Sequence, residues 1–145
     1  MGTATGHRDL DYYRWVGVRA KSVAGVVERV EEGLPLQALE RLGKLLALKG
    51  STETAGLLLI PPRTFYHRRK AKRLTPGESD RLLRTARIFG LAVDLFGGDR
   101  EAARQWLRTP KRALGDATPL GYVATEVGAR EVEDLIGRAE HGVFS

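Results

Sequence analysis

"LLLIPPRTFYHRRKAKRLTPGESDRLLR", residues 57–84, decides how the rest of the chain is read. The eleven positions from Arg63 to Arg73 hold six basic residues: Arg63, Arg68, Arg69, Lys70, Lys72 and Arg73. No Asp or Glu lies between Glu53 and Glu78 to neutralise them. The "IPP" before this run forces an extended break, because proline disfavours helix in the residue that precedes it. Pro62 suits the first turn of a new helix, where a missing N–H is harmless, so "PRTFYHRRKAK" is predicted to be helical. In the "TPGE" that follows, Thr75 is placed as an N-cap and Glu78 as the residue that returns a hydrogen bond to it, a capping box. The helix it opens is the longest in the chain and extends to about Phe96. Leu82, Ala86, Phe89, Val93 and Phe96 alternate spacings of four and three along it, a stripe that faces a core.

Upstream, Pro35 opens "LQALERLGKLLAL", where Leu36, Leu39, Leu42, Leu45, Leu46 and Leu48 keep helical apolar spacing. Gly50–Ser51 ends that helix, and Ser51 is placed to cap the next, "TETAGLLL". A short helix, a turn and a second short helix, supported by helices on both sides, is the helix-turn-helix arrangement. In it, "TETAGLLL" lies across the phosphate backbone and "PRTFYHRRKAK" enters the major groove, while Ile60 and Phe65 hold the second helix to the bundle. Arg63, Thr64, His67 and Arg68 then reach toward base edges. Arg69, Lys70, Lys72 and Arg73 are placed for phosphates, which give affinity and salt dependence without sequence information. One position is discordant. Leu59 occupies a turn position often filled by Gly, where a left-handed backbone strains any side chain.

The charge distribution agrees with this reading. The net charge of +6 is not evenly spread: residues 1–35 sum to zero, 36–98 to +7 and 99–145 to −1. A localised cationic excess is an electrostatic footprint for a polyanion. A length of 145 residues, with 42% hydrophobic and 29% charged side chains, fits one domain or two small ones and is too apolar for a disordered chain. No apolar run approaches the roughly 18 residues of a membrane span. The first fifteen residues carry acids and no apolar segment, so no secretory signal is expected. The absence of cysteine excludes disulfides and thiol-ligated metals, and suits the cytoplasm.

Beyond "GGD", Asp99 caps "REAARQWL", Pro110 stops it, "ALGDA" is a loop, and Thr118 and Pro119 start another turn or two. The last helix, about Gly128 to Ala139, puts Val132, Leu135, Ile136 and Ala139 on one face. No run alternates as a strand would, so the fold class is all-α. Trp106 and Leu107 read as core packing, and "TPKRALGDATP" as loop geometry. The stretch Val23 to Val30 is predicted to be helical, and residues 1–10 loose. "VAGVVERVEE" is either a dimerisation element or bundle support, and Tyr12, Tyr13 and Trp15 belong either to a dimer contact or to the core. The three histidines, His7, His67 and His141, lack the i, i+4 pairing of a helical metal site. There is no phosphate-binding glycine loop, and the basic stretch has no carboxylates to hold a nuclease's metal. Enzymatic activity is not expected, nor is a metal or cofactor.

Five stretches in a fixed order carry a resemblance: "GLPLQALERL", "IPPRTFYHRRKAKRLTPGESDRLLRTARI", "LFGGDREAARQWLRTPKRALG", "TPLGYVATEVGAREVEDLI" and "HGVFS". Over roughly residues 30–145 the chain resembles the Xre/MbcA/ParS family of bacterial antitoxins, whose partners are RES-domain toxins. It departs from the family pattern at Leu59, at Asp116 where a second Gly is usual, and in "YVAT". The resemblance implies a helix-turn-helix (Xre/Cro-like) bundle that forms a homodimer and binds the operator of its own operon, followed by a small toxin-binding domain. The expected division is 1–35 as an N-terminal segment with a candidate dimerisation helix, 36–98 as the helix-turn-helix domain, and 99–145 as the toxin-binding domain. RES-domain toxins of this family consume NAD, so the implied action is to cover the toxin's active-site cleft. The last helix and the tail would make that contact through Glu131, Asp134, Arg138, Glu140, His141, Gly142, Val143, Phe144 and Ser145. Acids at this end (Glu131, Glu133, Asp134, Glu140 and the terminal carboxylate) suit a cationic pyrophosphate site. Val143 and Phe144 dock either on the toxin or on this chain's own core. The alternative function is a free-standing helix-turn-helix regulator with no toxin.

Overall fold

Proline, glycine and capping side chains set the helix ends. The computed structural model describes residues 2–142, with side chains from residue 8 onward. Its α-helices are α1 Gly2–Arg14, α2 Val23–Glu32, α3 Leu36–Leu45, α4 Ser51–Leu57, α5 Pro62–Ala71, α6 Pro76–Leu95, α7 Arg100–Arg108, α8 Pro119–Tyr122 and α9 Glu126–Glu140, with a 3-10 turn at Arg112–Leu114. Among the described residues there is no strand, only isolated backbone bridges between Pro35 and Arg73 and between Lys111 and Ala117. The all-α class follows.

The chain divides into two units, residues 1–86 and 87–145. The division falls inside α6, not at the 98/99 boundary expected from the sequence. The reason is the long apolar stripe: Leu82 and Ala86 are buried in the first unit, Phe89 and Val93 in the second.

In the first unit α1 packs on α2, α3 on α4, and α4 on α5. Leu34, Leu39, Leu42, Leu46, Leu58 and Leu82 are wholly buried there. Residues 1–10 are not loose as expected, because α1 begins at Gly2 and is anchored by buried Leu10 and Tyr12. Tyr12 thereby joins the core, with its ring 5.5 Å from that of Trp15. Ser51 does not cap α4. Gly50 takes the cap position in extended conformation, and the Glu53 carboxylate accepts from the Lys49 N–H at 3.1 Å instead. The segment after α5 is pinned to the α2–α3 junction: Leu74 N–H donates to the Leu34 carbonyl (2.8 Å) and Leu36 N–H to that of Lys72 (3.1 Å). Gly33 makes this approach feasible. Its φ is +88°, and a Cβ there would collide with the Leu74 carbonyl oxygen.

In the second unit α7 packs on α8 and α8 on α9. Asp99, Thr118 and Thr125 cap these three helices, accepting from Ala102, Gly121 and Gly128 N–H at 3.0, 3.1 and 3.0 Å. Phe89, Leu107, Val123, Val132 and Ile136 form the core. The "TEVGA" motif is explained by this packing: a Cβ on Gly128 would strike the Tyr122 carbonyl oxygen, so only glycine lets α9 start so close to α8. Lys111 lies 4.8 Å over the Trp106 ring, and burial lowers the pKa of its ammonium, which makes it part of the packing.

Candidate functional site

Two surfaces carry the polar chemistry, one in each unit. The first is built on α5. Pro61 in extended conformation caps the helix and Pro62 starts it, as the double proline predicts. Leu58, Ile60 and Phe65 anchor the turn and the helix, at 0%, 3% and 6% exposure. Burying Phe65 is worth about 2–3 kcal/mol and fixes which face turns outward. The spacing 63, 66, 67, 70 puts Arg63, Tyr66, His67 and Lys70 on the face opposite Phe65, and all four are exposed. Three of them, Tyr66, His67 and Lys70, are in contact. The Lys70 ammonium sits 4.9 Å over the Tyr66 ring, whose edge contact with His67 has centroids 6.0 Å apart. Such a face offers one guanidinium, one ammonium, one imidazole and one phenol to a groove.

Other expected contact residues lie elsewhere. Thr64 is half-buried on one flank of α5 and Arg69 is exposed on the other. Lys72 follows the helix end in left-handed conformation (φ +58°), its side chain exposed. Arg68, expected near base edges, turns back into the protein. Its Nε donates to Oε1 of Glu78 at 2.8 Å, and the two side chains are only 25% and 6% exposed. Arg73, expected at phosphates, donates from Nη1 to the Gly33 carbonyl at 2.5 Å. The predicted capping box is present, with Glu78 Oε1 accepting from the Thr75 N–H (2.9 Å) and Thr75 Oγ1 from the Glu78 N–H (3.2 Å). Glu78 is nearly buried, and burial alone would raise its pKa; the Arg68 and Thr75 hydrogen bonds outweigh burial and hold it below the usual carboxylate value. Sequence reasoning missed Tyr66 as a member of the outer face, although its i, i+4 spacing to Lys70 signals it. Nothing local signals the pairing across ten residues of Arg68 with Glu78.

The second surface is α9. Val132, Leu135 and Ile136 face the core, as the periodicity predicts. Glu131, Asp134, Arg138 and His141 share the opposite face with Val127 and are exposed, as are Glu140 and Gly142. Val143, Phe144 and Ser145 lie outside the described residues. Glu133 does not join the acidic end, because its carboxylate pairs with Arg87 Nη1 at 2.7 Å. Val127 was missed by sequence reasoning. At 75% exposure it stands beside a shallow depression lined by Gly121, Tyr122, Thr125, Gly128 and Glu131. No group of His, Asp or Glu suited to a metal occurs among the described residues.

Comparison with known proteins divides along the same line as the fold. Residues 25–87 match the family described as an antitoxin Xre-like helix-turn-helix domain, and residues 91–142 the antitoxin Xre/MbcA/ParS C-terminal toxin-binding domain. The chain is 40% identical over 134 residues to "Antitoxin Xre" of Yersinia enterocolitica, covering 92% of this chain and 90% of that one. It is 36% identical to "Antitoxin Xre" of Photorhabdus laumondii over the same shares. An "Antitoxin Xre" of Pseudomonas putida is 35% identical over 85 residues, which is 58% of this chain and 53% of that one.

Proposed function

Because the chain belongs to the Xre/MbcA/ParS antitoxin family, we propose that it binds its own operator as an autorepressor and neutralises a RES-domain, NAD-consuming toxin by covering that toxin's active-site cleft. It is an antitoxin with a helix-turn-helix domain and a toxin-binding domain, not an enzyme. A free-standing regulator would leave residues 91–142 without a role, so that reading is set aside.

One observation carries the proposal: the outer face of α5 gathers Arg63, Tyr66, His67 and Lys70 on a helix anchored by Phe65, in the helix-turn-helix unit. In the other unit, the exposed face of α9 presents Val127, Glu131, Asp134, Arg138 and His141 to a partner. An apolar side chain bordered by charged ones suits a protein contact. The tail after Glu140 is assigned to the same contact, at the toxin's cleft. Homodimerisation is part of the same reading, with Val23 and Val27, 59% and 48% exposed one turn apart on α2, as the apolar pair to be buried. The site of action is the cytoplasm, where operator and NAD meet; no helix among the described residues is long and apolar enough to cross a membrane.

The test is binding of a duplex carrying the promoter region upstream of its gene, compared with a scrambled duplex, at several salt concentrations. Preference for the promoter duplex, with affinity falling steeply with salt, is expected. Equal affinity for both duplexes would contradict autorepression.

A further inference from the structure

The cationic run on and after α5 is not uniform: Arg68 turns inward to the next helix, while Arg73 is exposed and reaches back to the Gly33 carbonyl. Arg68 meets the first turn of α6 through a single carboxylate oxygen. Glu78 Oε1 accepts both Arg68 Nε (2.8 Å) and the Thr75 N–H (2.9 Å), so one atom joins α5 to the cap of the next helix. The following residue extends the network. Ser79 Oγ donates to the Thr75 carbonyl (2.8 Å) and accepts from the Leu34 N–H (2.8 Å), which reaches the α2–α3 junction. Arg73 closes the same circuit on the Gly33 carbonyl. A carboxylate this buried is stable only while both donors stay in place, since an unpartnered buried charge is costly.

We infer that Arg68 and Glu78 are positioning residues of the DNA-binding surface: the pair sets the angle of the recognition helix on the bundle, and Arg68 contacts no DNA. The inference rests on the operator-binding reading above and divides the basic run into readers (Arg63, His67 and Lys70, with Tyr66) and struts (Arg68 and Arg73). Helices that carry recognition side chains work only when their supporting contacts fix them to within a fraction of an ångström. Glu78 therefore supports DNA binding although it is an acid beneath a polyanion site.

That sign gives the test. Arg68→Ala, Glu78→Gln, the double variant and Arg69→Ala are titrated with the promoter duplex across a salt series, each checked for native helix content by circular dichroism. Glu78→Gln keeps a capping oxygen, so it folds even if Arg68→Ala does not. Both single variants are expected to lose roughly tenfold in affinity, with the salt slope unchanged. The double variant should lose no more than either single, because the two residues act as one unit. Arg69→Ala should instead flatten the slope by about 0.9. Tighter or unchanged binding by Glu78→Gln, or a flattened slope in Arg68→Ala, would make Arg68 a phosphate contact and overturn the inference. A loss in Arg69→Ala alone would overturn it and leave operator binding standing. Failure of the wild type to prefer the promoter duplex would remove both.

Discussion

Leu59 holds a left-handed backbone (φ +61°) with its side chain 57% exposed, so it adds strain at the helix-turn-helix turn and little packing in return. A left-handed L-residue costs about 1–2 kcal/mol, partly offset by the greater unfolded-state freedom of glycine. Leu59→Gly should therefore stabilise the chain by about 1 kcal/mol and raise Tm by a few degrees in a thermal melt. Asp116, another departure from the family pattern, also has positive φ (+67°), but aspartate tolerates that conformation. Glu78 makes a prediction of opposite character. Burial would raise its pKa, yet the bonds from Arg68 and Thr75 hold it below the ordinary 4.5. A depressed carboxylate contributes stability that is complete above the unfolded value and disappears as pH falls through the folded one. Denaturant melts of the wild type should lose stability progressively below about pH 4.5, and Glu78→Gln should flatten that acid limb. An acid limb of equal steepness in both would assign the loss to other carboxylates.

At the scale of elements, the best-read parts of the sequence were those with local punctuation. The double proline fixed the start of α5, the "TPGE" box fixed the start of α6, and Asp99 and Thr118 fixed two further caps, because each signal acts within four residues. Contacts between distant positions were not legible. Arg68 read as a groove residue because its partner Glu78 lies in the next helix, and Glu133 read as a surface acid because Arg87 is far away in sequence. Residues 2–10 read as loose because what holds α1 is the burial of Leu10 and Tyr12 at its C-terminal half, which no local signal announces. Helix α9 was read nearly to its ends, but Val127 fell just before the start assigned to it. The structure puts Val127 in line with Glu131, Asp134 and Arg138. If that face meets the toxin, Val127→Glu should weaken toxin binding by roughly 10–100-fold in a pull-down or calorimetric titration. Promoter binding should be unaffected.

At the scale of the molecule, two functions are assigned to two units joined through one helix, α6, whose stripe contributes Leu82 and Ala86 to one core and Phe89 and Val93 to the other. The sequence alone places a border at the end of that helix, because a continuous apolar stripe does not reveal that it serves two cores. A homodimer on an inverted-repeat operator should place its half-sites about 34–36 Å apart or a multiple of that, readable from a footprint. Val27→Glu should shift the chain to monomer in sedimentation and lower its operator affinity if α2 forms the dimer contact. We propose that the C-terminal unit, through α9 and the tail, shields cells from an NAD-consuming toxin. The most direct measurement is cellular NAD and growth when the reading frame beside this gene is induced together with the full chain or with a chain lacking residues 140–145. The neighbour alone should deplete NAD, the full chain should restore NAD and growth, and the truncated chain should not while still binding the promoter duplex. Equal protection by the truncated chain would contradict that proposal.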